Sequence, residues 1–270
     1  MSYLFLSCTE KHDKKRALLN EAIGFLLIQS LQLPQPELGG FLQYKISETG
    51  TPELWRDASE LEKYRGEVIA WVTTNTNDLN KRIEITQQQD PQIQAYLISQ
   101  VQESLKNWNH LPELILCDDW LANDDRNLGN LLELPNRTFT LIDHGGILYG
   151  DNWSVWDIMQ ARLINGPFQK GYAKIYRSRF GNGLFWKQEL VTELIELKKK
   201  HIQGLNRVKA ELFGLIDEFI DSEEVDTGLS LQPKQKVSQI LKDFLETSAI
   251  QNSKIEQKCD HWLDVSAQCV

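Results

Sequence analysis

The chain has 270 residues, and its content of 41% hydrophobic and 25% charged residues excludes a disordered or fibrous protein. Asp and Glu (38) outnumber Lys and Arg (29), so the net charge of −9 argues against a general nucleic-acid coat and against a polybasic membrane protein. With no CxxC motif, no apolar run of the roughly 18 residues that a membrane helix needs and no signal peptide, the sequence predicts a soluble, cytoplasmic protein of a reducing compartment.

The first part of the chain is predicted to contain three strands and one helix. Short apolar segments with aromatic and β-branched residues predict strands at residues 3–7, 41–46 and 67–73. Between the first two strands, apolar residues share one broad helical face from about Asp13, and the helix is predicted to stop before Pro34. The polar, turn-rich segment 74–80 follows, and it indicates a linker between two lobes.

The second part of the chain is predicted to be mainly helical. A helix is expected at residues 91–108, and two short strands at 131–134 and 138–142 are expected to flank a turn at Pro135 and Asn136. Further helices are predicted at residues 186–202, 205–220, 233–247 and 253–265. This division gives a reduced first lobe at residues 1–78 and a helical lobe at residues 79–270, with a cleft between them.

The densest polar segment lies near the start of the helical part, at residues 118–130. Asp125 and Asn130 stand five residues apart in it, and the predicted hairpin returns the chain to Asp143 at the end of a strand. Two carboxylates and an amide can therefore converge on one spot. Hard oxygen ligands of this kind suit Mg²⁺, which keeps several waters and pairs with phosphates. A further acid there could accept the proton of an attacking hydroxyl.

The order of these residues resembles that of kinases, in which a D-x-x-x-x-N loop precedes a D-x-G motif. Here Asp125-x-x-x-x-Asn130 is followed by Asp143-His-Gly145, and an arginine stands directly after the first aspartate. Two sequence segments are most similar to those of the short HipA-like kinase family: W-L-A-N-D-D-R-N-L-G-N-L-L and, after it, L-I-D-H-G. The resemblance implies a two-lobed, protein-kinase-like α+β fold with a reduced N-terminal lobe, and it implies ATP and Mg²⁺ as cofactors.

The same resemblance implies a role for each residue of the motif. Asp125 is implied as the catalytic base, and Arg126 belongs with it to the catalytic group. Asn130 and Asp143 are implied as the Mg²⁺ ligands. Asn123 is grouped with the cofactor-binding residues, and together with Arg126 it is expected to brace the loop.

The resemblance extends upstream, over about residues 1–150. Glu21, in the predicted helix of the first lobe, is implied as the cofactor-site acid that pairs with a phosphate-binding lysine, and the hinge is expected at residues 71–77. Three departures are visible: no glycine-rich loop precedes the first strand, Ser7 stands where the lysine is expected, and Asn127 stands where such loops often have His. The sequence is therefore expected to be either a degenerate kinase or a kinase whose given start lies too late.

The predicted function is ATP- and Mg²⁺-dependent transfer of a phosphoryl group to a Ser or Thr hydroxyl of a protein. The acceptor follows from the resemblance alone. An antitoxin-like partner follows in the same way, because the family includes toxins of bacterial toxin–antitoxin pairs; neither nucleic acid nor membrane is expected as a partner. Two alternatives stay open: a non-catalytic pseudokinase that serves as an interaction module, and a small-molecule kinase of the aminoglycoside type.

Some of these residues also have purely structural explanations. Asp118 and Asp119 could cap a helix that contains Trp120, and His144 could be a packing residue beside Asp143. A group of basic residues near helical spacing could receive an acidic substrate or form a solvated face: Lys170, Lys174, Arg177 and Arg179. Three tryptophans are predicted to lie in the core rather than against a ligand: Trp153, Trp156 and Trp186.

Overall fold

The fold is a mixed α+β structure, mostly helical, with two small antiparallel sheets. It is seen in a computed structural model, which describes residues 3–6, 13–46, 66–74, 79–123, 125–150, 175–176, 178–180, 186–222 and 234–250. The predicted α+β class is confirmed at this level.

The three strands predicted in the first part of the chain form the first sheet. Strands β1 (Tyr3–Leu6), β2 (Gly39–Ile46) and β3 (Gly66–Thr73) pair antiparallel in the order β1–β3–β2. The rings of Trp71 and Phe41, which are paired residues of β3 and β2, meet edge to face with 5.2 Å between their centroids. Aromatic contact therefore adds to the backbone hydrogen bonds between the two longer strands.

Helix α1 (Asp13–Leu31) packs into two hydrophobic cores at once. One stripe of its apolar side chains packs with Trp71 of the first sheet: Leu18, Ala22 and Phe25. A second stripe is buried in the main core of the protein: Leu19, Ile23, Leu27, Ile28 and Leu31. A helix that is apolar over most of its circumference is an interior helix, and α1 is thereby attached to both parts of the molecule.

The predicted hairpin forms two of the three strands of the second sheet. Strands β5 (Leu131–Glu133) and β6 (Phe139–Leu141) pair antiparallel, and β4 (Leu79–Asn80) joins the other edge of β5. The segment 74–80 is therefore not purely a linker, because its last two residues pair with Glu133 and Leu132.

Three helices follow β4 along the chain: α2 (Lys81–Gln87), α3 (Pro91–Asn107) and α4 (Leu111–Trp120). Helix α3 begins as predicted, because the Asp90 side chain accepts a 2.8 Å hydrogen bond from the Gln92 N–H. Helix α4 already contains Asp118 and Asp119 near its C-terminal end. The explanation that these two residues cap the start of a helix is therefore wrong; the helix begins earlier because the apolar residues 114–117 belong to it.

Two long helices complete the described structure: α5 (Trp186–Ser222) and α6 (Lys234–Ile250). The two helices predicted at residues 186–202 and 205–220 are one continuous helix. Gly204 lies inside this helix and does not break it. A Cβ at this position would lie 2.9 Å from Leu31 Cδ2 and from Ser30 Oγ. The glycine instead allows close packing of α5 on α1. The helix predicted at 253–265 lies outside the described residues, as do Trp153, Trp156 and the side chain of Trp186.

None of the helices in the described part of the chain has the length and apolar character that a bilayer crossing requires. Cys117, which lies in α4, is buried and forms no disulfide. Burial raises the pKa of its thiol well above the ordinary value, so the thiolate that reacts with oxidants or metals is disfavoured.

Candidate functional site

The polar loop after helix α4 is organised around a buried ion pair. Asp118 in the last turn of α4 is 3% exposed, and Arg126 is 2% exposed. The guanidinium donates from Nη2 to Asp118 Oδ1 at 3.0 Å and from Nε to Oδ2 at 3.2 Å. Burial raises the pKa of the Asp118 carboxyl above its ordinary value, and Arg126 opposes that shift. Arg126 therefore lies inside the protein and binds the loop to the helix.

Two further buried side chains fix the backbone around Asp125. Asn123 donates to Asp118 Oδ1 at 2.9 Å, and its amide oxygen accepts from the Asp125 N–H at 3.1 Å. Asn130 donates to the Asp125 carbonyl at 2.9 Å. The backbone of Asp125 is therefore held on both sides, while Asp125 itself is exposed. A carboxylate that is exposed on a rigid loop can reach a substrate without a large rearrangement.

Asn127, which departs from the kinase pattern, has a local structural role. Its amide oxygen accepts from the Gly129 N–H at 2.7 Å, which caps the short 3-10 turn Leu128–Asn130. Its amide nitrogen donates to the Asp125 carbonyl at 3.0 Å. Asn127 thus supports the backbone of Asp125.

The β5–β6 hairpin brings Asp143 to the same place. The Ile142 N–H donates to the Asn130 carbonyl at 3.1 Å, so the two loops are joined backbone to backbone. Arg126 Nη1 donates to the carbonyls of Ile142 at 3.0 Å and Asp143 at 3.5 Å. A Cβ on Gly146 would lie 2.7 Å from Asp125 Cβ, so this close approach requires glycine.

The backbone of Asp143 is left-handed, with φ of 58°. Such a conformation is uncommon outside glycine, although Asp and Asn adopt it more readily than other residues. This left-handed residue lies just after the end of β6, where the chain turns, and Gly145 and Gly146 follow it. Strained backbone of this kind is often found where a site requires one side-chain position.

Helix α1 contacts Asp143 and the residues after it through Glu21. The Glu21 carboxylate accepts hydrogen bonds from the backbone N–H groups of His144 at 2.8 Å and Gly145 at 3.1 Å. Burial, together with the nearby Asp143 carboxyl, raises the pKa of Glu21 to about 8. Among the side chains that the structure describes, no lysine pairs with Glu21. The expected lysine position, Ser7, lies outside the described residues.

Asn20, next to Glu21, was not predicted as a site residue. It is fully buried, and its Nδ2 lies 2.9 Å from the Gly145 carbonyl, 2.8 Å from that of Ile147 and 2.9 Å from that of Gly150. The available signal in the sequence was an asparagine within a nearly continuous apolar helix, a place where this residue type is disfavoured.

His144 is a packing residue, as the structural explanation proposed. It is 2% exposed, and a Cβ on Gly24 of α1 would lie 2.4 Å from His144 Cβ. Burial lowers the pKa of its imidazole well below the ordinary value, with Arg126 adding to the shift. The ring is therefore neutral, and it fills space between α1 and Arg126.

A narrow cavity lies between the first sheet and the hairpin, lined by α1, β3, Pro36 and residues 141–144. Its volume of about 10 Å³ is room for about one water molecule. Phe25 and Trp71 occupy the adjoining space, edge to face with 5.6 Å between ring centroids. A larger cavity of about 310 Å³ lies between the end of α3 and the hairpin turn at residues 136–138, and it includes none of the motif residues.

Arg179 has a structural role at the end of α3. Its guanidinium donates to the carbonyls of Lys106 and Trp108 at the C-terminal end of the helix, where carbonyls lack intrahelical partners. The Trp108 carbonyl also accepts from the Leu111 N–H at 3.1 Å. Arg179 is half-exposed, so these contacts give it a structural role while the prediction for the basic group as a whole stays a prediction. The other three residues of that basic group lie outside the described residues: Lys170, Lys174 and Arg177.

Asn130 and Asp143 have the chemistry of a magnesium site. Asn130 uses its amide nitrogen on Asp125, and its Oδ1 accepts no hydrogen bond from any described residue. Asp143 is half-buried and supplies a carboxylate. The described residues contain no group of three or more His, Cys, Asp or Glu side chains placed to hold a metal. One carboxylate and one amide suit Mg²⁺, which keeps several waters and substrate phosphates as its other ligands.

No protein-family model matches the chain, and no curated protein matches it. The geometry of the two joined loops is therefore the main basis for assigning a function.

Proposed function

We propose that the protein is an ATP- and Mg²⁺-dependent phosphotransferase with a two-lobed, kinase-like fold of the HipA-like type. The observation that supports this most is the direct joining of the Asp125–Asn130 loop to the Asp143 loop through the Ile142–Asn130 backbone hydrogen bond. The order of elements also supports it, because a sheet with one helix precedes the helices, the catalytic-type loop and the hairpin.

Each residue has a role in this proposal. Asp125 takes the proton of the acceptor hydroxyl as the hydroxyl oxygen bonds to the γ-phosphorus of ATP. The bond from that phosphorus to the β–γ bridging oxygen breaks, and ADP leaves with the electron pair. Asn130 and Asp143 would hold the Mg²⁺, which when bound neutralises negative charge on the phosphates. Arg126 and Asn123 position these groups without contacting substrate, since both are buried and bonded to Asp118.

The acceptor and the partner rest on the resemblance. A Ser or Thr hydroxyl of a protein is the proposed acceptor, and an antitoxin-like protein is the proposed partner. The exposure of Asp125 is compatible with an acceptor as large as a protein.

A second candidate, a non-catalytic pseudokinase that binds a partner protein, is favoured by one observation. The cavity beside Glu21 and Asp143 has a volume of only about 10 Å³, and an adenine ring does not fit into it without movement of Trp71 or Phe25. A nucleotide must therefore either open this cleft or bind at its mouth.

Thermal unfolding with and without Mg·ATP separates the two candidates. A ligand at about ten times its Kd adds about 1.4 kcal/mol to the free energy of unfolding, which should raise the Tm by about 2–5 °C in a chain of this size. The Asp143→Ala variant should lose the shift, and Asp243→Ala, an exposed acid on α6, should keep it. A wild-type protein with no Mg²⁺-dependent shift would contradict the kinase proposal and support the pseudokinase.

A further inference from the structure

The residues from Ile142 to Gly150, here termed the Asp143 loop, form hydrogen bonds with several residues outside the loop. Arg126 binds the carbonyls of Ile142 and Asp143. Glu21 binds the N–H groups of His144 and Gly145. Asn20 binds three carbonyls further along, and the Leu148 N–H donates 2.8 Å to the Leu121 carbonyl. The backbone of this loop is therefore fixed mainly by hydrogen bonds to other elements rather than by regular secondary structure of its own.

Among these residues, Asn20 contacts the largest number of backbone carbonyls in the loop. Its single amide nitrogen is shared by Gly145, Ile147 and Gly150, at 2.8–2.9 Å, which fixes the curvature of the loop. Asn20 and Glu21 are neighbours in the sequence, so the carbonyl contacts and the N–H contacts both originate from one turn of α1. A displacement of the loop relative to α1 would break both sets together.

Helix α1 is itself firmly fixed. Its two apolar stripes are buried in both hydrophobic cores. Its C-terminal end packs closely against Gly204 of α5. Because the helix that carries Asn20 is packed in this way, the contacts from Asn20 fix the position of the Asp143 loop before any ligand binds.

We propose that Asn20 is a positioning residue that holds the Asp143 loop in its metal-binding shape in the ligand-free protein. The site is then preorganised, and α1 does not need to move for Mg²⁺ to bind. This inference depends on the proposed function only for its metal measurement. Its structural part concerns the loop alone.

The test compares Asn20→Leu with a matched control, Gln35→Leu. Leucine has the same branching and the same number of side-chain heavy atoms as asparagine, but it is larger and has no donor. Gln35 is also an amide that donates to an α1 carbonyl, 3.1 Å from Phe25 O, with an amide oxygen that has no partner among the described residues. Asn20→Leu removes a fully buried amide and Gln35→Leu a half-buried one, but only Asn20→Leu releases the Asp143 loop.

Hydrogen exchange of the hydrogen-bonded amides of the loop is the first readout: those of residues 144, 145, 147, 148 and 150. In the wild type these amides should exchange slowly, and Mg²⁺ with a non-hydrolysable ATP analogue should change their rates by less than about twofold. Asn20→Leu should raise the rates about tenfold or more, the equivalent of one lost hydrogen-bonding contact, and Gln35→Leu should leave them unchanged. Unchanged loop exchange in Asn20→Leu, or strong new protection of the wild-type loop on ligand binding, would overturn the inference.

The second readout is the Mg²⁺ concentration needed to bind the ATP analogue. Asn20→Leu should raise it about tenfold while affinity for the metal-free analogue stays the same, and Gln35→Leu should change neither. Equal losses in both variants would mean only general destabilisation and would overturn the positioning role. If Asn20→Leu does not fold, Asn20→Ser, which keeps one donor, should give intermediate exchange rates. A wild type that binds no nucleotide would contradict the proposed function, and the exchange comparison would still decide the role of Asn20.

Discussion

The loop around Asp125 and the interface between α4 and α5 both bury charged side chains, but they do so in opposite ways. In the loop, Asp118 and Arg126 meet at 3.0 Å, and Asn123 adds a bond of 2.9 Å. At the interface, the ion pairs of the buried Glu113 with other described residues are long, at 3.7 Å to His110 and 3.8 Å to Lys200. The loop is therefore positioned by short directional bonds, whereas the two helices are positioned by apolar packing that tolerates imperfect polar contacts.

His201 illustrates the second kind of region. Its ring is 1% exposed and stacks on Trp120 with 5.1 Å between centroids, while its Nε2 has no hydrogen-bond partner in the described part of the chain. A buried polar group without a partner costs stability. The same cost is present beside the Asp143 loop, where Asn20 Oδ1 is buried without a partner in the described part of the chain, but there the amide nitrogen of the same side chain makes three contacts of 2.8–2.9 Å.

The largest effect is expected when the ion pair of the loop is broken. Arg126→Met leaves the Asp118 carboxylate buried without its cation, so the free energy of unfolding should fall by about 3–5 kcal/mol. Urea unfolding measures this. The double variant Asp118→Leu/Arg126→Met should recover a large part of the loss, because no charge is then left buried. A loss below about 1 kcal/mol in Arg126→Met, the range of an exposed ion pair, would contradict the comparison.

The next effect is a pH dependence at the helix interface. Burial, with Lys198 and Lys200 adding to it, lowers the pKa of His201 from 6.5 to about 3. Below pH 6.5 the unfolded chain therefore takes up a proton at this residue that the folded protein does not. Stability should fall with decreasing pH, with a slope approaching about 1.4 kcal/mol per pH unit from this residue, or about 2–3 kcal/mol between pH 6.5 and 4.5.

His201→Phe provides the control for this pH effect. Phenylalanine keeps an aromatic ring against Trp120 but does not titrate. Chemical unfolding of both proteins at several pH values should show a shallower acid slope in the variant. Equal slopes for the two proteins would show that His201 is not buried as a neutral ring.

The smallest effects are expected from substitutions of two helical glycines. They compare the tightly packed region beside the Asp143 loop with an open position on α5. Gly24→Ala places a Cβ 2.4 Å from His144 Cβ, so the loss should be about 1–3 kcal/mol despite the better helix propensity of alanine. At Gly214 of α5 nothing lies within 4 Å of the added Cβ, so Gly214→Ala should stabilise by about 0.5–1 kcal/mol. Thermal or urea unfolding of both variants measures this, and the reverse order would disprove close packing at the site.

Local patterns were sufficient to predict the strands of the first sheet and the hairpin. The spacing of Asp125, Asn130 and Asp143 was sufficient to predict that two loops meet, because a two-stranded hairpin must return the chain close to its start. The mixed α+β class follows from the same periodicities, whereas the two-lobed, kinase-like arrangement rests on the resemblance.

Residues whose partners are distant in the sequence could not be predicted in this way. Asn20 bonds to carbonyls 125–130 residues further along, and no local pattern encodes such a pair. Asp118 was interpreted as a cap because Asp is common at helix starts, but its partner is Arg126, and the helix that contains it begins earlier. Separate helices were predicted at residues 186–202 and 205–220, and the structure shows one helix in which Gly204 packs against α1.

The placement of α1 in both hydrophobic cores has a consequence for biosynthesis. Its residues are made early, but the helix that covers them, α5, begins only at Trp186. At a synthesis rate of about 5–20 residues per second, α5 follows on the order of 10–30 s after α1, and until then the stripe that belongs to the main core lacks this partner. During that interval the nascent chain exposes apolar surface that the finished protein buries, which makes the chain prone to aggregation while it is still on the ribosome.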